Sequence, residues 1–473
     1  MTLQNVVKSI QDIMRQDQGV DGDAQRLSQL VWMLFLKIVD DEEKQYELVN
    51  PRYHSAIPEK LRWRNWATNP EGMTGDDLLD FMNNKLFRSL KELKAQEGNQ
   101  LGLLVKEVFT DSYNYMKSGT LIRQVVNKIN EIDFNKKDDR HHFNEIYEHL
   151  LKELQSAGNY GEFYTPRALT QFVVEMVNPK LGETVLDPAC GTGGFLVNTI
   201  EHVQKEVKNN KDEKLLERSI RGIEIKQLPY TLAVTNLILH GVEAPNQIQR
   251  GDSLSRPLRE YGPKDRVDVI VANPPFGGVV KDGTAGNFPH EFRTKETADL
   301  FLVLFMHLLK PTGRAGIVLP DGSLFGEGVK SAIKRKLLEE CNLHTIVRLP
   351  QGVFNPYAGV NTNLLFFEKG NPTKEIWYYE LPLPEGMKQY TKNRGITSTE
   401  FEPVKKWWRK RVQNEHAWKV TIGDIEKRYY NLDFKNPNVN PDLTNKTPKQ
   451  IIDDLSKKEV EIISIINEIN DFL

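Results

Sequence analysis

Two cysteines in 473 residues, Cys190 and Cys341, are too few for a disulfide framework or a zinc cluster. They fit a reducing, cytoplasmic setting. No stretch approaches the ~18 apolar residues of a membrane span. The two richest runs, VWMLFLKIV (31–39) and LFLVLFMHLL (300–309), have the length of buried helices. The opening MTLQNVVKSIQDIMRQ lacks the basic start and apolar block of a secretory signal. An excess of one charge is missing too: 63 Lys and Arg face 65 Asp and Glu, a net charge of −2. A chain that reads a long DNA site alone carries a basic excess. Solitary DNA recognition is therefore disfavoured, but work on DNA beside a basic partner is not.

Phosphate-loop signatures are absent. No GxGxxG occurs, and GEGVKS (326–331) places Val329 between Gly328 and Lys330, which breaks a Walker loop. No nuclease or ATPase signature appears, and no internal repeat or low-complexity tract. His141, His142 and His149 match neither HExxH nor zinc-finger spacing. A solvated helix face explains them better, and no metal site is expected.

Three regions emerge from the patterns that are present. Residues 1–158 read as a helical domain. In AQRLSQLVWMLFLKIVDDEEK the positions Leu27, Leu30, Val31, Leu34, Phe35 and Ile38 keep helix spacing. From 159 to 370 short β-rich runs alternate with helical stretches: ETVLDPAC, SIRGIEI, NQIQRGD, VDVIVANPP, RAGIVLP, LHTIVRLP and TNLLFFE. Such alternation predicts an α/β domain with a mostly parallel, doubly wound sheet. Residues 371–473 are irregular, with KEIWYYEL as one strand, and end in a helix over 448–473. There Ile452, Leu455, Glu459, Ile462, Ile466, Ile469 and Leu473 step by three and four, and all but Glu459 are apolar. This is a coiled-coil-like seam, suited to its own domain or to another chain.

Ligands of doubly wound sheets sit beyond the carboxyl ends of the strands. After the first run comes ACGTGGF, where Gly191, Gly193 and Gly194 allow close approach of a ligand. The preceding Asp187 suits a cationic amine better than a pyrophosphate. The second strand closes in Glu224, which can take two ribose hydroxyls or be a plain surface carboxylate. The third leads to Asp252, able to accept from an adenine amino group. The fourth ends in ANPPFGG. Neither Pro274 nor Pro275 offers an N–H, so the strand stops at once. Its end becomes a rigid lip of an amide, proline carbonyls and an aromatic ring. Four candidates at four successive strand ends make accident a poor explanation.

With GEFYTPRAL (161–169), VLDPACGTGGFL (185–196), GIEI, GDSL, ANPPFGG and GIVLPDGSLF (316–325) in this order, the chain resembles the S-adenosylmethionine-dependent amino-methyltransferases of DNA. It is most similar to the modification subunits of type I restriction–modification systems. The likeness extends to the helical N-terminal region and to RLPQGVFNPYAGVNTNLLFF (348–367). It implies a Rossmann-like class I methyltransferase sheet with a helical N-terminal domain and a C-terminal helical tail. It also implies that Tyr164, Thr165 and Pro166 hold the methionine end of the cofactor, with Glu162 and Phe163 beside them. Asp187, Gly191, Thr192, Gly193 and Gly194 would face the methionine and ribose, Glu224 the ribose hydroxyls and Asp252 the adenine. Cys190 is expected to serve packing. A 5-methylcytosine enzyme needs Pro-Cys where this sequence has Pro-Phe.

The amino group of adenine is a weak nucleophile because its lone pair is delocalised into the ring. The Asn273 and Pro274 carbonyls can accept its two hydrogens and favour the charge developing on nitrogen. Pro275 stiffens the lip. A paired base cannot reach it and must be flipped out, and the Phe276 ring offers a stacking platform. Transfer from a sulfonium needs no metal.

After the last strand of the central region too little chain remains for a recognition domain. The one basic-aromatic cluster, KKWWRKR (405–411), suits phosphates, a solvated turn or a partner. The family picture then implies DNA as substrate and a separate specificity subunit, two modification subunits to one, with a restriction subunit able to join. No membrane is involved. The competing readings are a stand-alone amino-methyltransferase of RNA or protein glutamine, and a scaffold that has lost turnover.

Overall fold

The computed structural model describes residues 3–94, 100–134, 165–276, 278–355, 359–391 and 393–438, with Ile452, Ser456, Glu459 and Ile462. Glu162, Phe163, Tyr164, the three histidines and most of the 448–473 seam lie outside the described residues.

Among the described residues, nine strands form one sheet: β1 (Val185–Asp187), β2 (Ile220–Glu224), β3 (Ile248–Arg250), β4 (Val267–Ala272), β5 (Leu309–Pro320), β6 (Cys341–Arg348), β7 (Thr362–Lys369), β8 (Glu375–Glu380) and β9 (Ala417–Thr421). Their order is β3-β2-β1-β4-β5-β7-β6-β8-β9. β1 to β5 pair with one another in parallel. β7 runs antiparallel between β5 and β6, β8 is parallel to β6, and β9 closes the edge antiparallel to β8. From β1 the chain moves outward to β3, then returns to the other side of β1 for β4. This reversal opens a crevice at the carboxyl ends of β1 and β4. Asp187 and Asn273 stand on its two sides.

Both faces of the sheet are covered. On β4, Val269 and Val271 join one apolar cluster while Ile270 and Ala272 join the other, the period-2 alternation of a strand buried on both faces. The register shift between Val267 and Val269 reverses the parity, so Val267 shares a cluster with Ile270.

The N-terminal helices are fused to the first face. Helix Asp23–Val49 buries Leu27, Leu30, Val31, Leu34, Phe35 and Ile38, the stripe read from the sequence, and also Trp32, Met33 and Leu36. Helix Gln227–Leu239 is buried along most of its length, as an element apolar all round must be. It lies between the sheet and the N-terminal helices. Gln227 Nε2 donates to the Val108 carbonyl at 2.7 Å, and Arg250 pairs with Asp111.

The sheet continues past residue 370, where the sequence reading ends the catalytic domain. KEIWYYEL supplies β8, and AWKVT supplies β9, an edge strand too short and too mixed to be predicted. KKWWRKR is not a solvated turn. It lies on helix Glu402–Arg409 and the residues just after it. Trp407 is 6% exposed, Trp408 meets Phe366 with ring centroids 4.8 Å apart, and Arg411 lies 4.7 Å over Trp408. Two adjacent indoles cost too much to hydrate, so the cluster covers the sheet and turns only Lys406, Arg409 and Lys410 outward. Ile452 and Ile462 are helical and exposed, at 61% and 58%.

Gly316 on β5 sets how closely helix Arg167–Val177 approaches the sheet. A Cβ there would lie 2.5 Å from Val177 Cγ2 and 2.7 Å from Val173 Cγ1, both on stiff branched side chains. Gly316→Ala should lower stability by about 1–3 kcal/mol, read as a lower denaturant midpoint at unchanged m-value.

Candidate active site

The site is assembled from loops that leave the carboxyl ends of β3, β2, β1 and β4. β1 and β4 are in register at Leu186 and Ile270, β1 and β2 at Asp187 and Gly222, and β2 and β3 at Glu224 and Arg250. Asp187, Glu224, Asp252 and Asn273 therefore stand at one edge of the sheet, as the sequence reading expected.

The glycine turn is shaped by two different demands. Gly191 has φ +52°, and a Cβ there would meet nothing within 4 Å. Its backbone needs glycine, and the space above it is open. Gly193, with φ +80°, presses against helix Gln227–Leu239, where a Cβ would lie 3.1 Å from Leu237 Cδ1. Gly194 begins helix Gly194–Val203, and the Thr192 carbonyl accepts from Asn236 Nδ2 at 3.3 Å. Glu224 reaches across the turn. Its carboxylate accepts from the Gly191 N–H at 2.9 Å and the Lys226 N–H at 2.8 Å. The Cys190 thiol is buried against Gly222, the packing role expected of it.

Asp187 is 1% exposed and accepts from the Ala189 N–H at 3.1 Å. Burial, with the Glu224 charge adding to it, pushes the Asp187 carboxyl well above the usual carboxylate range. Asp252 is half-buried and accepts from the Leu254 N–H at 2.9 Å. Next to it, Ser253 Oγ donates to the Pro188 carbonyl at 2.6 Å and ties the β3 loop to the β1 loop.

The lip after β4 is held from three sides. Asn273 Nδ2 donates to Thr165 Oγ1 at 2.8 Å. Its Oδ1 is buried and has no hydrogen-bond partner among the described residues. Phe276 is 9% exposed and meets Phe354 edge-on, with centroids 5.6 Å apart and planes at 89°. The Gly278 carbonyl accepts from both the N–H and Oγ1 of Thr297, at 3.1 and 2.6 Å. Thr165 and Pro166 precede helix Arg167–Val177, with Pro166 at its N-cap.

Sequence reasoning missed two residues. Ile225, just after Glu224, is 49% exposed, an apolar surface beside the carboxylate. The apolar residue directly after a strand-end acid was its signal. Phe354 reaches the lip from beyond β6, and no pattern linked it to Phe276. A cavity of about 600 Å³ lies elsewhere, against helices Thr297–Leu308 and Val329–Glu340, and takes no part in this edge.

The donor set decides what the cleft can hold. Three carboxylates at adjoining strand ends repel phosphate and favour a ligand bearing hydroxyls, amines or positive charge. Open space above Gly191 and a buried Asp187 close to Glu224 fit S-adenosylmethionine, whose amine and sulfonium are cationic. On the other side of the crevice, Asn273 Oδ1, without a partner among the described residues, has room for an N–H donor.

Comparison with known proteins gives the same picture. Residues 138–445 match the N-6 DNA Methylase family and residues 3–129 the HsdM N-terminal domain. The chain is 53% identical to the EcoEI type I restriction enzyme methylase subunit of Escherichia coli, over 100% of this chain and 98% of the relative. Among solved structures it resembles a modification subunit attributed to a type I restriction enzyme of Vibrio vulnificus. That match has 44% identity and a TM-score of 0.85 over 93% of this chain and 98% of the other. A chain from a study of type I restriction–modification assembly and conformational transition matches at 38% identity and TM-score 0.83, covering 100% of this chain and 98% of that one.

The charged form of Asp187 is disfavoured in the folded chain. Ligand-free stability should therefore fall as pH rises from the unfolded carboxylate value of about 3.9 through the raised folded value. Asp187→Asn should raise the ligand-free melting temperature by a few degrees at pH 8, with the gap closing toward pH 4. The same variant should weaken S-adenosylmethionine binding in isothermal titration.

Proposed function

The chain belongs to the N-6 DNA methylase family, among the methylase subunits of type I restriction enzymes, and from that premise we propose that Asn273 and Pro274 orient the adenine amino group for methylation. The activity is adenine-specific, S-adenosylmethionine-dependent methylation of DNA. The observation that supports this assignment most directly is the buried Asn273 Oδ1, which has no hydrogen-bond partner among the described residues.

Asn273 Oδ1 accepts one amino hydrogen and the Pro274 carbonyl the other. With Nδ2 committed to Thr165, the amide cannot rotate without losing a bond. Both acceptors favour positive charge growing on the adenine nitrogen. Pro275 keeps the lip rigid, so little reorganisation is needed at the moment of reaction. Phe276, braced by Phe354, stacks on the extruded base.

The donor's side is held by Asp187, Gly191, Thr192, Gly193, Gly194 and Glu224, with Asp252 on the adenine amino group and Ile225 against its ring. Glu162, Phe163, Tyr164, Thr165 and Pro166 take the methionine end. Bound there, S-adenosylmethionine supplies an electrophilic methyl carbon on a cationic sulfur. Glu224 takes one backbone N–H on each carboxylate oxygen, and because each such oxygen can accept two hydrogen bonds, ribose hydroxyls can add without displacing them.

This chain supplies the chemistry, and a separate specificity subunit supplies the DNA address, with two modification subunits to one. A restriction subunit can join. The exposed Ile452 and Ile462 of the C-terminal helix support a seat for a partner helix. Two buried free cysteines fit the cytoplasm.

The test is methyl incorporation from labelled S-adenosylmethionine, with and without a co-expressed specificity subunit. Adenine-N6 methylation of duplex DNA that depends on that subunit is expected. Label in RNA or protein glutamine, or none at all, overturns the reading. Asn273→Ala should lower turnover by about 10²–10³-fold while isothermal titration shows unchanged cofactor affinity. Phe276→Ala should likewise reduce turnover far more than cofactor binding.

A further inference from the structure

β5 is the parallel neighbour of β4, so its carboxyl end opens on the same edge as the Asn273 lip. The next segment, residues 321–328, carries Phe325, which is 46% exposed. A single exposed phenylalanine is ordinary. The framework around this one is not.

Lys334 is 1% exposed, and its ammonium donates to the Leu324 carbonyl at 3.0 Å and the Gly326 carbonyl at 3.2 Å. These are the two residues flanking Phe325. Burial pulls the Lys334 ammonium down to about 8, a sign of what it costs to keep a cation there. Lys330 holds the Gly322 carbonyl at 2.9 Å. It also lies 3.7 Å from buried Asp299, two residues after the Thr297 that binds the lip at Gly278. Gly326 and Gly328 have φ +96° and +64°, left-handed backbone that glycine adopts freely, directly after the ring.

A second segment braces the first. The Leu432 N–H donates to the Leu324 carbonyl at 2.9 Å, and Ser331 Oγ donates to the Tyr429 carbonyl at 2.7 Å. Tyr429 and Tyr430 are consecutive and both left-handed, at φ +53° and +61°. Bulky residues adopt that conformation only when their surroundings impose it. Tyr429 is 74% exposed. The fold thus uses a buried lysine and two strained tyrosines to hold Phe325 and Tyr429 in solvent in the segments that follow the carboxyl end of β5 and pack on it.

We propose that Phe325 is the side chain that enters the DNA base stack where the target adenine leaves it. The inference rests on the reading that an extruded adenine is methylated over Asn273. The duplex must approach the edge shared by β4 and β5, and an exposed apolar ring held at that edge can fill the gap and keep the base from returning. The partner is therefore duplex DNA rather than another protein.

The test uses the complex with the specificity subunit and two duplexes, one matched and one with a mismatch opposite the target adenine. Phe325→Ala should lose roughly 10- to 100-fold in methylation of the matched duplex. It should recover most of that loss on the mismatched one, where less pairing opposes extrusion. Phe325→Leu should retain most of the matched activity. 2-Aminopurine at the target position should brighten less with the alanine variant than with wild type. Equal losses on both duplexes, or no loss on the matched one, overturn the inference. So does a loss traced by light scattering to failed assembly with the specificity subunit, which would make Phe325 a protein contact. Wild-type complex inactive on both duplexes would instead overturn the reading of the site itself, and the inference with it.

Discussion

Asn273 Oδ1 is kept away from water and given no hydrogen-bond partner among the described residues. Leaving such an atom unsatisfied costs about 1–3 kcal/mol, and the surrounding architecture sustains it. Thr165 fixes the amide from the start of one helix. Two prolines end the strand so that no ladder N–H reaches the oxygen. Thr297 fixes the far side of the loop through Gly278. On the proposed reading, the oxygen is an acceptor prepared in advance for an amino nitrogen that must turn its lone pair elsewhere.

Across the crevice the electrostatic problem is the opposite one. Asp187 is buried near Glu224 with its charged form disfavoured, and no basic side chain hydrogen-bonds to it among the described residues. A cationic ligand relieves this arrangement and an anionic one worsens it. The sheet therefore separates two requirements. On the proposed reading, the β1–β2–β3 ends hold a donor rich in hydroxyls and positive charge, and the β4 end holds a neutral base. Their meeting point is the switch between β1 and β4, where the order of strands reverses.

The remaining elements control how that crevice is reached. The N-terminal helices grip the β3 side through Asp111 and Arg250, two residues before Asp252. On the β5 side, a buried lysine and strained tyrosines stiffen the loop that carries Phe325. The lip after β4 lies between two braced flanks, the proposed cofactor side at β3 and the proposed DNA side at β5. Both are built from segments far away in the chain.

Much of this was legible in the sequence for a local reason. A strand buried on both faces must be a continuous apolar run, and what ends it must be small, polar or proline. The seven runs and the residues closing the first four could be read directly. The sequence could not show that Thr165 and Asn273, 108 residues apart, would share a hydrogen bond. Nor could it show that Phe354 would brace Phe276, or that the tryptophans of KKWWRKR would be drawn onto the sheet. These depend on which surfaces are left uncovered once the strands are ordered. β9 escaped notice because an edge strand needs no strong pattern of its own. The sequence by itself determined the strand ends and the chemistry they carry, since both depend on neighbouring residues alone. Only the tertiary structure decided which oxygen stays unpaired and which rings are held in water, because burial and pairing belong to the assembled chain.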